Sequence, residues 1–183
     1  EDADNNIWFA TEGNGLLRHR PETGQVESFW LNENKHHNDN IIKSICISGD
    51  TIMCGNQRGE VYNYSIKRNK FSLLRKYDNT NILYIFKDSR EHWWISVQDQ
   101  GVFCFSPQGT IIHHYEYNDK SVYTVRDDMA RALCQDLEGN IWVGYRSGLS
   151  KIEVATGKIF HYQADPNRVG AMSNRSVTSL YTD

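Results

Sequence analysis

The chain has 183 residues, with 20 Lys and Arg against 23 Asp and Glu, a net charge of −3, 39% hydrophobic residues and 12% aromatics. That balance describes a chain able to bury a core, not a disordered one. It also argues against a nucleic-acid partner, which is bound through clustered excess Lys and Arg. The longest strongly apolar run, Ile82-Leu83-Tyr84-Ile85-Phe86, falls far short of a membrane span of ~18 residues. The opening Glu1-Asp2-Ala3-Asp4 lacks the basic and apolar regions of a signal peptide, so composition leaves the compartment open. Cys46, Cys54, Cys104 and Cys134 form no C-x-x-C pair and lack histidines at zinc-finger spacing. Each lies in an apolar, strand-like stretch, where a buried free thiol is expected over a disulfide.

The chain is built of repeats. The first unit, expected over 1–38, opens with Asp2-Ala3-Asp4-Asn5-Asn6-Ile7-Trp8-Phe9-Ala10, continues to Gly15-Leu16 and turns at Pro21-Glu22-Thr23-Gly24. Its opening looks like the start of a calcium loop, but Ile7 stands where the sixth position needs Gly and Gly13 where the twelfth needs Glu. It reads instead as a hairpin. A second, degenerate unit over 39–78 carries Gly49-Asp50-Thr51-Ile52-Met53-Cys54-Gly55 and then Gly59-Glu60-Val61. The third, over 79–126, has Asp88-Ser89-Arg90-Glu91-His92-Trp93-Trp94-Ile95-Ser96, then Gly101-Val102, with a turn at Pro107-Gln108-Gly109. The fourth, over 127–173, has Asp136-Leu137-Glu138-Gly139-Asn140-Ile141-Trp142-Val143-Gly144, then Gly148-Leu149, and predicts strands over 131–135, 141–145, 149–154 and 158–162. Residues 174–183 are expected to open a fifth copy, with a strand over 176–183.

Two columns keep one period: Trp8, Met53, Trp94 and Trp142 recur at 41 to 48 residues, and Gly15, Gly59, Gly101 and Gly148 at 42 to 47. Ahead of each first strand stands Asp39, Asn79, Asp127 or Asn174. Four short antiparallel strands in ~40 to 45 residues, repeated, predict an all-β fold of β-propeller blades. Trp8, Trp94 and Trp142 are then core between neighbouring blades, since large aromatics dominate burial.

The pattern D-x-x-G-N-I-W-[VIF]-G-[TY]-x-x-G-L-x-x-[IY], followed by T-G-x-[IF]-x-x-[YF], resembles the two-component regulator propeller repeat. Residues 136–162 match it nearly throughout, 2–29 match well, 88–115 lack the Gly-Asn of the turn, and the unit around Met53 has lost the Trp and the Asp. The resemblance implies the periplasmic ligand-sensing part of a hybrid two-component system, with oligosaccharides as the ligand class and kinase, receiver and DNA-binding parts elsewhere. It implies seven-bladed parents, so four repeats predict an incomplete propeller, an open arc completed by further blades and paired as a homodimer. Neither membrane nor nucleic acid is an expected contact of this segment.

Propeller ligands collect where loops converge on the channel. The loops between second and third strands offer Asn14, Arg58, Gln98, Asp99, Tyr145 and Arg146, whose planar polar groups suit sugar hydroxyls. Arg58, Arg146 and Tyr145 have the longest reach. Asp39, Asn79, Asp127 and Asn174 form a second tier, for which the plainer role is bonding to their own backbone. No metal site or cofactor is expected: His36-His37 and His113-His114 point to opposite faces if extended. Catalysis is not expected either, since the chain has no G-x-S-x-G or H-E-x-x-H and only scattered acid–base groups, such as Asp99 with Asp127 or Asp128, or His92. The competing classes are a protein-interaction module without a small ligand and, behind it, a propeller enzyme.

Overall fold

The computed structural model describes all residues except 33–35, 119–123, 126, 166, 170, 173, 175 and 183. The expected unit boundaries at Arg126 and Ser173, and the chain end at Asp183, therefore lie outside the described residues. The described residues form four antiparallel sheets, each with strands in sequence order. The first has three strands, β1 (Ile7–Ala10), β2 (Leu16–Arg20) and β3 (Gln25–Phe29). After a 3-10 turn at His37–Asp39 come β4 (Ile42–Ser48), β5 (Thr51–Asn56), β6 (Glu60–Ser65) and β7 (Lys70–Lys76). The third sheet holds β8 (Ile82–Lys87), β9 (Trp93–Val97), β10 (Gly101–Phe105) and β11 (Ile111–Tyr115). The fourth holds β12 (Ala132–Gln135), β13 (Ile141–Gly144), β14 (Leu149–Glu153) and β15 (Lys158–Tyr162), within a residue of the predicted bounds. The chain divides into two compact units, Glu1–Ile85 and Phe86–Asp183.

In the first unit the core gathers Trp8, Leu16, Ile42, Ile52, Cys54 and Tyr64. Tyr64 lies 5.6 Å from Trp8 and 5.4 Å from Phe29, ring centre to ring centre, so the aromatic that joins the first two sheets comes from β6. Met53, in the Trp column, is buried but lies outside this cluster, because side chains alternate along β5 and Ile52 and Cys54 on either side of it face the cluster. Arg18 lies over both Trp8 and Phe29, at 5.4 and 5.1 Å, and is held by Glu27 at 2.7 Å. Its flat cation thereby sits over the rings while staying paired.

In the second unit Trp94 is wholly buried and stacks on Tyr115 at 5.9 Å. Trp142 departs from the expectation of full burial. It is half-buried, packed on Tyr162 at 5.4 Å with the Lys151 ammonium 5.9 Å over its ring. Residues 176–182 form no strand, against the expectation of one over 176–183. The segment still packs on the fourth sheet: the Val177 N–H donates to the Tyr145 carbonyl at 2.7 Å, and a Cβ on Gly144 would meet Val177 at 2.6 Å. In the first unit a Cβ on Gly55 would likewise meet Ile82, at 2.2 Å. A glycine late in the second strand of a blade thus receives the first strand of the next.

Candidate ligand-binding site

The loop from β5 to β6 is built around Asn56, only 3% exposed. Its Oδ1 accepts the N–H groups of Arg58 and Glu60, each at 2.9 Å, and its Nδ2 donates to the Glu60 carboxylate at 2.7 Å. The Tyr62 hydroxyl donates to the same carboxylate at 3.1 Å. Burial, reinforced by Glu60, pushes that phenol up to about 12, so it stays a donor at physiological pH. Gly59 sits at φ 72°, where a Cβ would lie 2.1 Å from the Tyr77 carbonyl, and the Tyr77 N–H donates back to Gly59 at 2.8 Å. The loop is thereby clamped to the connection leaving β7.

Between the loop and that connection lies a pocket of about 510 Å³, lined by Gln57, Arg58, Lys76 and residues 78–81. Asn79 takes a left-handed conformation, φ 54°, which Asn tolerates better than most residues. The Arg58 guanidinium pairs with Asp39 from the 3-10 turn, and Gln57 Nε2 donates to the Asn38 carbonyl at 3.1 Å. Lys76 reaches Glu60 at 3.5 Å. Three residues singled out in the sequence, Arg58, Asp39 and Asn79, therefore meet at one place. Lys76, Asp78, Thr80 and Asn81 were missed, because nothing in their spacing says that the end of β7 folds against the β5–β6 loop.

The other predicted residues are not among those that line this pocket. Asn14 is exposed, its N–H bound to Thr11 Oγ1 at 3.0 Å. In the second unit Gln98 Nε2 donates to Asp99 Oδ2 at 3.2 Å, and the Asp99 N–H to the Asp128 carbonyl at 3.2 Å. Tyr145 is wholly buried and does not reach solvent, whereas Arg146 beside it is exposed. Asp127 and Asn174 accept the N–H groups two residues on, from Met129 at 2.9 Å and Ser176 at 3.2 Å, and Asp127 also accepts Ser147 Oγ at 3.1 Å. For these two the plain backbone role is in place. A second pocket of about 380 Å³, lined by His161, Gln163, Asp165 and Arg168 among others, had no counterpart in the sequence reading.

His92 Nδ1 sits 3.3 Å from Asp88 Oδ2, within the turn that precedes Trp94. All four cysteines are free, and burial raises the Cys104 thiol to about 12 and Cys54 further still. Such thiols are inert packing groups. No group of three His, Cys, Asp or Glu that could hold a metal occurs among the described residues.

No family model and no curated protein matches the chain. Among solved structures it is similar to the extracellular domain of the putative hybrid two component system BT3049 from B. thetaiotaomicron, at 15% identity and TM-score 0.69, covering 99% of this chain and 30% of that one. The corresponding domain of BT4673 from the same organism gives 15% identity and TM-score 0.61, over 99% and 31%. The RRP9 WD40 repeats give 10% identity and TM-score 0.67, over 88% and 48%. The chain thus spans about a third of the length of the two extracellular domains. Likeness at such identities concerns the fold, and the fold is that of part of an all-β propeller.

Proposed function

We propose that this chain is a ligand-sensing, extracytoplasmic propeller segment of a hybrid two-component system, that its ligand is an oligosaccharide, and that it is itself non-catalytic. The observation carrying this reading is the pocket where Arg58 and Asn79 meet Gln57, Lys76 and Asn81. Amide, guanidinium and ammonium groups on a clamped loop can bond several hydroxyls at fixed positions, which is what a sugar requires. The similarity to extracellular domains of B. thetaiotaomicron two-component systems supports the setting, and no helix among the described residues is long and apolar enough to cross a membrane. In this reading the partners are the remaining blades of a larger propeller and a second copy of the protein, and the compartment is the periplasm. Ligand would signal by favouring one arrangement of these parts over another.

A thermal-shift screen of the chain against an oligosaccharide panel tests the reading. Ligand at 100 times its Kd should stabilise the fold by about 2.7 kcal/mol. We expect a shift with one glycan class that is lost in Arg58→Ala and kept in Arg146→Ala. A folded chain that shifts with no sugar would favour a protein-interaction module instead.

A further inference from the structure

The pocket at Arg58 lies beside the shortest of the connections that follow the four sheets. We infer that the length of this connection is the determinant of the site: the second sheet admits a sugar because the chain leaves it in a few residues, where the other sheets carry a longer connection. This rests on the sensing reading above and adds what opens the site in this sheet.

In each sheet one carbonyl at the end of the last strand approaches a glycine, from Phe29, Tyr77, Tyr115 or Tyr162. Counted from that residue, Asp39 follows after ten positions, Asp127 and Asn174 after twelve, and Asn79 after only two. The long connections tie back on themselves: the Asn32 N–H donates to Asn40 Oδ1 at 3.1 Å, and parallel bridges join Tyr117 to Val125 and Ala164 to Met172. Two of them also meet the loop ahead of the next-to-last strand in their own sheet. In the first sheet the Gly15 N–H donates to the Asn40 carbonyl at 2.9 Å, and a Cβ on Gly13 would lie 2.3 Å from the His37 ring. In the third the Asp99 N–H donates to the Asp128 carbonyl at 3.2 Å. In the fourth, the pocket of about 380 Å³ is lined by His161 and the connection, with no residue of the β13–β14 loop in its lining.

The second sheet is built differently. From Tyr77 the chain runs through Asp78-Asn79-Thr80-Asn81 into β8, with Asn79 at φ 54° in the turn and Thr80 buried beside Gly59. Gln57 and Arg58 of the β5–β6 loop then face a pocket together with Lys76 and these four residues. A connection of the length found elsewhere would enter that space, as His37 does over Gly13. The sheet that has lost the Trp and the Asp of the repeat is thus a specialised one, since a polar loop left open on a rigid scaffold is where binding collects.

The test is calorimetric titration of the chain with hexasaccharides of xylan, cellulose, mannan and galacturonan. In one variant residues 30–38 replace Asp78, which gives the second sheet the connection length of the first. In another, four glycine and serine residues are inserted after Asp78, and a control carries the same insertion after Gly109, where the surroundings are open. Circular dichroism checks each fold, and the four-residue insertion decides alone if the longer replacement unfolds. We expect the sugar that binds the parent chain to bind at least about tenfold more weakly to the longer replacement, less weakly to the insertion, and unchanged to the control. Unchanged affinity in the folded lengthened variants would overturn the inference and leave the sensing reading intact, as would an equal loss in the control. Failure of every sugar to bind the parent chain would overturn both.

Discussion

Asp2, Asp88 and Asp136 each use their carboxylate in the same way. One oxygen accepts the N–H groups two and four residues on, and the other accepts the indole N–H of Trp8, Trp94 or Trp142, at 2.7, 3.0 and 2.8 Å. The six-residue spacing from Asp to Trp was legible as a repeated motif, but its cause was not: the turn places the carboxylate over its own strand's indole. The motif survives in the third unit without its Gly-Asn, where Glu91 takes φ 68° at the place of Gly139. Burial pulls the Asp136 carboxyl up, yet hydrogen bonds from Asn140, Trp142 and Glu138 outweigh it and hold the group below its usual 3.8; Asp2 behaves alike. A carboxyl lowered on folding contributes stability that is complete above the unfolded value and is lost as pH falls through the folded one. We therefore expect the melting temperature to drop below about pH 4, and Asp136→Asn to lower it at neutral pH while flattening that acid limb. An acid limb equally steep in the variant would show that Asp136 does not carry it.

Strand positions were legible because the turns announce them. Gly24 and Gly157 precede the last strands of the first and fourth sheets at positive φ, and Asn69 stands in their place in the second sheet, at φ 53°. The bulges between Ile42 and Ser44, between Val61 and Tyr62, and between Cys104 and Phe105 left no mark in the periodicity. Nor did the half-burial of Trp142, since a column of identical residues cannot say how much protein covers each. The glycine at the start of the next-to-last strand of each sheet has a geometric cause: a Cβ on Gly15, Gly59, Gly101 or Gly148 would lie 2.1 to 2.5 Å from the carbonyl of Phe29, Tyr77, Tyr115 or Tyr162. Gly109 has a similar φ, 86° against 80° for Gly101, but open space around it. Gly109→Ala should thus cost only the backbone strain of a left-handed residue, about 1 to 2 kcal/mol. Gly101→Ala adds the clash with Tyr115 and should cost clearly more in urea unfolding, and equal losses would remove close approach as the reason for that column.

At the scale of the whole chain, sequence reasoning identified the architecture, because a period of this length admits few folds. It found only part of the candidate site. Arg58 and Asn79 were visible as large polar groups near turns, whereas their meeting depends on Gly59 clamping the β5–β6 loop to Tyr77, a contact between segments 18 residues apart. Tyr145 shows the converse: a loop position with an aromatic that the fold buries. The same pocket accounts for the Arg58–Asp39 pair, since the Asx column supplies the carboxylate that holds the arginine over the opening. The most direct test is amide hydrogen exchange of the chain with and without the oligosaccharide that gives the largest thermal shift. Slowed exchange confined to 56–60 and 76–81 is the expected result, and protection elsewhere with those two segments unchanged would contradict the assignment of the site.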